Sequence, residues 1–257
     1  MLTNEEKLKN LQEKHNNRMI FVVGAGSSLH FENIDLLKDK IVIAVNSGLL
    51  KVPFCNYAIF DDWACSDWEW YTKVLPKLSC TKLLYRSKLE KYSSHLNKEE
   101  IIFFNHKCWY DPSTRSFCKG GLDLTKDPLL PFIGARTTTG TAVHLAYILG
   151  GGGIKNPIVL LGIDCCYSKE RKRYFWEYPG EKRAVRVKNK PISWFADKGK
   201  IKGYPVDYHS VEFLSYWEDL AKATKDSDVN IINCSGGILD VFPRMTLEEV
   251  IKKYGEK

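Results

Sequence analysis

The sequence predicts an α/β doubly wound domain with a mostly parallel sheet and helices on both faces. Two observations lead there. Seven short runs, at 19–23, 41–45, 57–60, 82–85, 101–104, 158–161 and 229–232, are near-continuously apolar rather than alternating, which is how strands read when a parallel sheet is covered on both sides. Between several of them lie stretches with helical spacing, and strand–turn–helix repetition builds this class of fold. At 257 residues, 44% hydrophobic and 27% charged, the chain has the composition of a globular protein, which excludes a disordered, collagenous or coiled-coil one. It reads as one domain over 1–257, with an insertion at 165–208.

The elements follow in order. Residues 4–16 form a polar leading helix with Leu8 and Leu11 on one side. The run 19–23 ends in Gly24-Ala-Gly-Ser-Ser28, 41–45 ends in Asn46-Ser-Gly48, and 57–60 ends in Asp61-Asp62. A helix over 138–149 stops at four glycines, Gly150 to Gly153, and the strand 158–161 runs into Gly162-Ile-Asp164. An amphipathic helix over 210–224 carries Val211, Leu214, Trp217 and Leu220, and a closing helix spans 246–254. If the sheet is parallel, the four polar strand ends converge on one edge, where folds of this kind bind ligands.

Charge and cysteine narrow the partners. Between Ser168 and Tyr204 there are twelve Lys or Arg against four acids, a surplus of eight in a chain whose net charge is +7, so the basicity belongs to this one segment. Aromatic residues interleave with those cations, among them Tyr167, Tyr174, Trp176, Tyr178 and Tyr204. A long insertion at a ligand edge reads as a lid, closing over substrate and favouring an anionic acceptor such as a glycan, nucleotide or nucleic acid. It also reads as a plain solvated basic loop. The eight cysteines show no C-x-x-C pair and no metal-ligand spacing, as expected of reduced thiols. No apolar run approaches a membrane span, and the polar start lacks signal-peptide character, so a soluble, cytoplasmic protein is expected.

Each candidate site residue has a bland reading beside the functional one. Gly24 and Gly26 let backbone approach a ligand, and Ser27 and Ser28 can cradle phosphate; the same residues also make a tight turn. Arg136-Thr-Thr-Thr-Gly140 opens a helix whose orphan N–H groups favour an anion, or it is ordinary capping. Asp61 and Asp62 can hold a cation or a ribose, or shape a turn. His209, in Asp207-Tyr-His-Ser210, is placed for a general base, whereas His144 lies inside a helix and reads as packing.

These motifs in this order resemble two groups of nucleotide-using transferases with a Rossmann-like core, the bacterial sialyltransferases of glycosyltransferase family 42 and the MptE-like (6-hydroxymethylpterin diphosphokinase) family. Gly24-Ala-Gly-Ser-Ser-Leu29 is similar to the sialyltransferase G-x-G-P-S-L turn, and Arg136-Thr-Thr-Thr-Gly140 to its R-x-T-S-G helix start. Leu161-Gly-Ile-Asp164 is similar to its S-G-I-D stretch, and His209-Ser210 to the H-S that carries its base. That resemblance implies a nucleotide-sugar donor, CMP-linked in the family, and no cofactor. It implies a donor site of Gly24, Gly26, Ser27, Ser28, Asn46, Ser47, Asp61, Arg136, Thr138, Thr139, Gly140, Gly162, Asp164, Tyr167 and Tyr174, with His209 as base. Ala25, Ser27 and Asp61 depart from the family's Asn, Pro and Asn. An acid at 61, and Ile232-Asn-Cys-Ser-Gly-Gly237, resemble MptE-like enzymes instead, which implies Mg²⁺ and ATP with Asp61 and Asp62 at the metal. A third expectation is a binding module for nucleotide or nucleic acid, with no chemistry.

Overall fold

The computed structural model describes residues 2–107, 110–111, 116–117, 124–133, 137–187, 197–226 and 229–255. Its centre is a seven-stranded, all-parallel sheet with helices against it, a Rossmann-like α/β fold. The first five strands are β1 (Ile20–Val23), β2 (Ile41–Val45), β3 (Tyr57–Phe60), β4 (Thr81–Tyr85) and β5 (Ile101–Phe104). Short pairs follow, β6 (His106–Lys107) with β9 (Phe132–Ile133) and β7 (Tyr110–Asp111) with β8 (Ser116–Phe117). Then come β10 (Ile158–Leu161), the hairpin β11 (Asp197–Ile201) and β12 (Tyr204–Asp207), and β13 (Ile231–Asn233).

The sheet order is β13-β10-β1-β2-β3-β4-β5. The chain lays down five neighbours in sequence and then crosses back to the other side of β1. The crossing makes the β1/β10 boundary a topological switch point, the place at which folds of this kind bind ligands.

Successive residues of each strand feed opposite layers, so the apolar runs are explained by burial on both faces. Phe21 and Val23 of β1 pack with the five-residue 3-10 turns after β1 and β2, the π-helical turn Trp70–Val74 and helix α5 (Leu247–Tyr254). Ile20 and Val22 pack against the other layer, built from α1 (Asn4–Lys9), α3 (Thr138–Ile148) and α4 (Tyr208–Asp226). A short α2 (Arg86–Leu89) follows β4. Nine of the eleven residues of α3 are buried, which suits a helix apolar on all sides. His144 on that helix is structural: its Nδ1 accepts from the Ile133 N–H at 2.8 Å and its Nε2 donates to the Thr125 carbonyl at 2.7 Å.

The leading helix is shorter than the sequence predicts. α1 stops at Lys9 because the chain beyond it bonds elsewhere: the N–H groups of Glu13 and His15 donate to Ile148 and Leu149 at the end of α3, each at 2.8 Å. Leu8 and Leu11 still point into the core.

Over 165–187 the insertion is not an open loop. Residues 165–187 form a strap across the carboxyl edge of the sheet, and Phe175 is wholly buried in the core. Tyr174 bridges to Gly26, the Phe175 N–H donates to the Ala25 carbonyl at 3.1 Å, and Glu181 takes the ammonium of Lys51 and the imidazole of His30. Among the described residues no helix is long and apolar enough to cross a membrane, and the cysteines described are free thiols.

Candidate functional site

The turn after β1 sits tight against the loop after β10. The Gly24 and Gly26 N–H groups donate to the carbonyls of Leu161 and Gly162 at 2.8 and 2.7 Å. A Cβ at Gly24 would lie 2.5 Å from the Gly162 oxygen, and one at Gly26 would lie 2.7 Å from both that oxygen and the Asp164 carboxylate. The close approach of these two loops by itself demands glycine at both positions, as in the tight-turn alternative.

The serines differ from expectation. Ser27 Oγ donates to Asp164 Oδ2 at 3.0 Å, while Ser28 donates to the same carboxylate through its N–H at 2.8 Å and through Oγ at 2.5 Å. The phosphate these donors were expected to meet is replaced by an internal carboxylate, 3% exposed. Burial raises the Asp164 carboxyl above its ordinary pKa, against the pull of the serine donors. Asp164 is a clasp between the two loops.

Across the crevice, Thr137 caps α3 by accepting from the Gly140 N–H at 2.8 Å, and the helix has no acid in its first turn. Thr138 Oγ1 donates to Asp61 and accepts from the Asn46 amide at 3.4 Å, and Thr141 Oγ1 reaches Asp61 at 3.2 Å. Asn46, at φ +51°, turns sharply enough after β2 to bring its side chain here. Thus Asn46 and Asp61 hold the start of α3 at the ends of β2 and β3. Asp62 also lines the cleft, where its carboxylate accepts from the Ala64 N–H at 3.0 Å and caps the turn Trp63–Asp67. Among the described residues, no three His, Cys, Asp or Glu side chains are grouped to hold a metal ion.

The strap covers the crevice from the other side. The Tyr174 and Trp176 rings stack with centroids 4.7 Å apart, and the Trp176 indole N–H donates to Ser47 Oγ at 3.3 Å. Arg173 lies 5.5 Å over the Tyr167 ring and 5.6 Å over Tyr174 and pairs with Asp207. Asp207, with no exposed surface, also accepts from the Tyr167 hydroxyl at 3.1 Å and from the N–H and hydroxyl of Ser210 at 2.7 and 2.8 Å. Burial pulls its carboxyl up, but the guanidinium and the Ser210 donors outweigh that and hold it below the ordinary value.

What remains between these walls is a cleft of about 480 Å³, lined by the glycine turn, Asn46, Ser47, Asp61, the start of α3 and Arg173, Tyr174 and Trp176. It continues into a neck of about 170 Å³ between Gly162, Asp164, Tyr167, Arg173 and the first turns of α4. Of the expected site residues, Gly24, Gly26, Asn46, Ser47, Asp61, Asp62, Thr138, Thr139, Gly162 and Tyr174 line the cleft, and Asp164 and Tyr167 line the neck. Gly140 serves the cap of α3, and Ser27 and Ser28 face Asp164. Arg136 lies outside the described residues, as does the side chain of His209; the backbone at 209 belongs to the first turn of α4, next to Ser210 on the neck wall.

Sequence reasoning missed Arg173, which counts there as one of twelve cations, and Asp207, whose Asp-x-x-Ser spacing before an amphipathic helix is a capping signature. Compared with protein-family models, curated proteins and solved structures, the chain has no match.

Proposed function

We propose that the chain is a nucleotide-dependent transferase, a glycosyltransferase that takes a nucleotide-sugar donor in the cleft. One observation carries the reading: at the β1/β10 switch point, the N-terminus of α3, with no acid in its first turn, faces Arg173 across a cleft large enough for a nucleotide. Both sides offer donors to phosphate, one through the helix N–H groups and one through a guanidinium, although Asp61 already sits at the helix start and Asp207 already pairs with Arg173. The stacked Tyr174 and Trp176 supply a flat apolar wall for a base or ribose.

In the transfer, an acceptor hydroxyl attacks the anomeric carbon as the bond from that carbon to the donor phosphate oxygen breaks. The hydroxyl proton goes to His209, and the nucleotide leaves with the bonding electron pair. Thr139 and Arg173 stabilise the negative charge left on the phosphate. No cofactor enters this scheme.

The test is a thermal-shift series with CMP, UDP, GDP and ATP, each with and without Mg²⁺. A metal-independent shift with CMP or a nucleoside diphosphate supports the reading. A shift only with Mg²⁺ and ATP replaces it with the diphosphokinase alternative, in which Asp61 and Asp62 would carry the metal. Binding to RNA or DNA with no nucleotide shift replaces it with a binding module.

A further inference from the structure

Beside the neck lies a third hollow, of about 320 Å³, which shares no lining residue with the nucleotide cleft. The neck and this hollow share Asp164, Cys166 and Tyr167 as walls, so the two are adjacent. Gly236 and Gly237 close its floor as bare backbone. A Cβ at Gly236 would sit 2.8 Å from that of Ser28, and Gly237, at φ +71°, presses on the Asp164 carbonyl.

Four rings line the hollow: Phe31, Tyr167, Tyr178 and Tyr204. Tyr178 is stacked on His30, 4.4 Å away at 3°, and meets Phe31 edge-on at 5.4 Å. Phe31 is 72% exposed, an apolar face that the fold itself does not bury. The strap's positive charge is not concentrated here. Lys169 is the only cation on the wall among the described residues, and Glu170, which receives the Tyr178 hydroxyl at 3.4 Å, offsets it. A buried carboxylate, Asp164, lies beneath.

We propose that this hollow is the acceptor subsite and that it receives a neutral pyranose ring. The inference rests on the glycosyltransferase reading of the nucleotide cleft. Flat rings flanked by a few polar groups suit a sugar, whose C–H face packs on an aromatic surface while its hydroxyls bond the carboxylate and ammonium at the rim. A phosphorylated acceptor would bring its charge against Glu170 and Asp164, with one lysine to offset it. An acceptor hydroxyl lying towards the neck would point at the first turn of α4, where His209 is, and at the donor's reacting carbon.

The experiment is saturation-transfer NMR on the full chain with four probes: methyl β-galactopyranoside, methyl α-glucopyranoside, methyl α-mannopyranoside and lactose. A glucuronide and a short oligothymidylate are the charged controls. At least one neutral saccharide should receive magnetisation, and Phe31→Ala should weaken its binding about fivefold to tenfold while Phe31→Trp retains it. Nucleotide-induced thermal shifts should be the same in all three proteins. The proposal is overturned if no neutral saccharide contacts the wild type, if contact is indifferent to Phe31→Ala, or if a charged control binds better. Saccharide contact that depends on Phe31, in a protein that no nucleotide stabilises, would uphold the pocket and reject the donor cleft.

Discussion

The guanidinium of Arg173 on the strap is paired with the carboxylate of Asp207, the residue that caps helix α4 through Ser210. One buried acid thereby ties the cover of the cleft to the helix that carries His209. Asp207→Ala should destabilise the protein by about 3–5 kcal/mol, because it strands a partly buried guanidinium and removes a cap together. Chemical denaturation measures this, and a loss under about 1 kcal/mol would show that the pair is not buried in solution.

The two buried carboxyls should respond to pH in opposite senses. Asp207 is held below its unfolded value, so its stabilisation is complete above about pH 4 and is lost as pH falls through its folded pKa. Asp164 is raised, so the folded protein binds its proton more tightly than the unfolded chain does. Its contribution therefore falls as pH rises from about 4 through its folded pKa. In Asp164→Asn the amide oxygen can face the Ser28 N–H and Ser27 hydroxyl, while the amide nitrogen donates to Ser28 Oγ. Urea midpoints measured upward from pH 4 should show that decline in the wild type and less of it in Asp164→Asn; parallel curves would remove Asp164 as its source.

Gly26→Ala should lower stability by roughly 1–3 kcal/mol with no ligand present, since its methyl meets the Gly162 carbonyl and the Asp164 carboxylate. An unchanged denaturation midpoint would mean that the two loops are not in contact as described.

Thr139→Phe fills the cleft from the exposed side of the α3 N-terminus. The nucleotide-induced thermal shift should disappear while the ligand-free midpoint moves by only a few degrees, about what ~1 kcal/mol produces in a domain of this size. Nucleotide stabilisation that survives the substitution would place the nucleotide elsewhere.

His209→Ala should lower turnover on the order of 10²- to 10⁴-fold and leave the nucleotide shift intact. Wild-type turnover and KM in this variant would take the imidazole out of the mechanism.

Much of this fold was legible in the sequence. All seven apolar runs are strands of the main sheet, because burial on both faces leaves a local signature. The shift from 229–232 to Ile231–Asn233 is the largest displacement among them. The convergence of Gly24, Asn46, Asp61 and Gly162 followed from parallel pairing alone.

What the sequence could not show is which neighbour each strand end meets. The partner of Ser27 and Ser28 lies 137 and 136 positions away at Asp164, and only the placement of β10 beside β1 brings it there. The donors read as a phosphate cradle were chemically apt for an anion; the anion is simply the protein's own. Phe175 was hidden for the opposite reason. It sits among cations without periodicity, so nothing local marks it as the one ring of the strap that enters the core.

The strand order also sets the order of assembly. β2 to β5 each pair with the strand just before them, so that part of the sheet closes only short loops, whereas Ile20 must wait for Ile158 across most of the chain. Long loop closures come late and slowly. A nascent chain therefore holds most of its sheet before it has any cleft, and it exposes the open edge of β1 until β10 arrives. The Gly24 and Gly26 amides report on that moment, since their acceptors are the carbonyls of Leu161 and Gly162. In pulsed hydrogen exchange they should gain protection only in the final phase, after the amides shared between β2 and β3, and early protection would reverse the sequence of events.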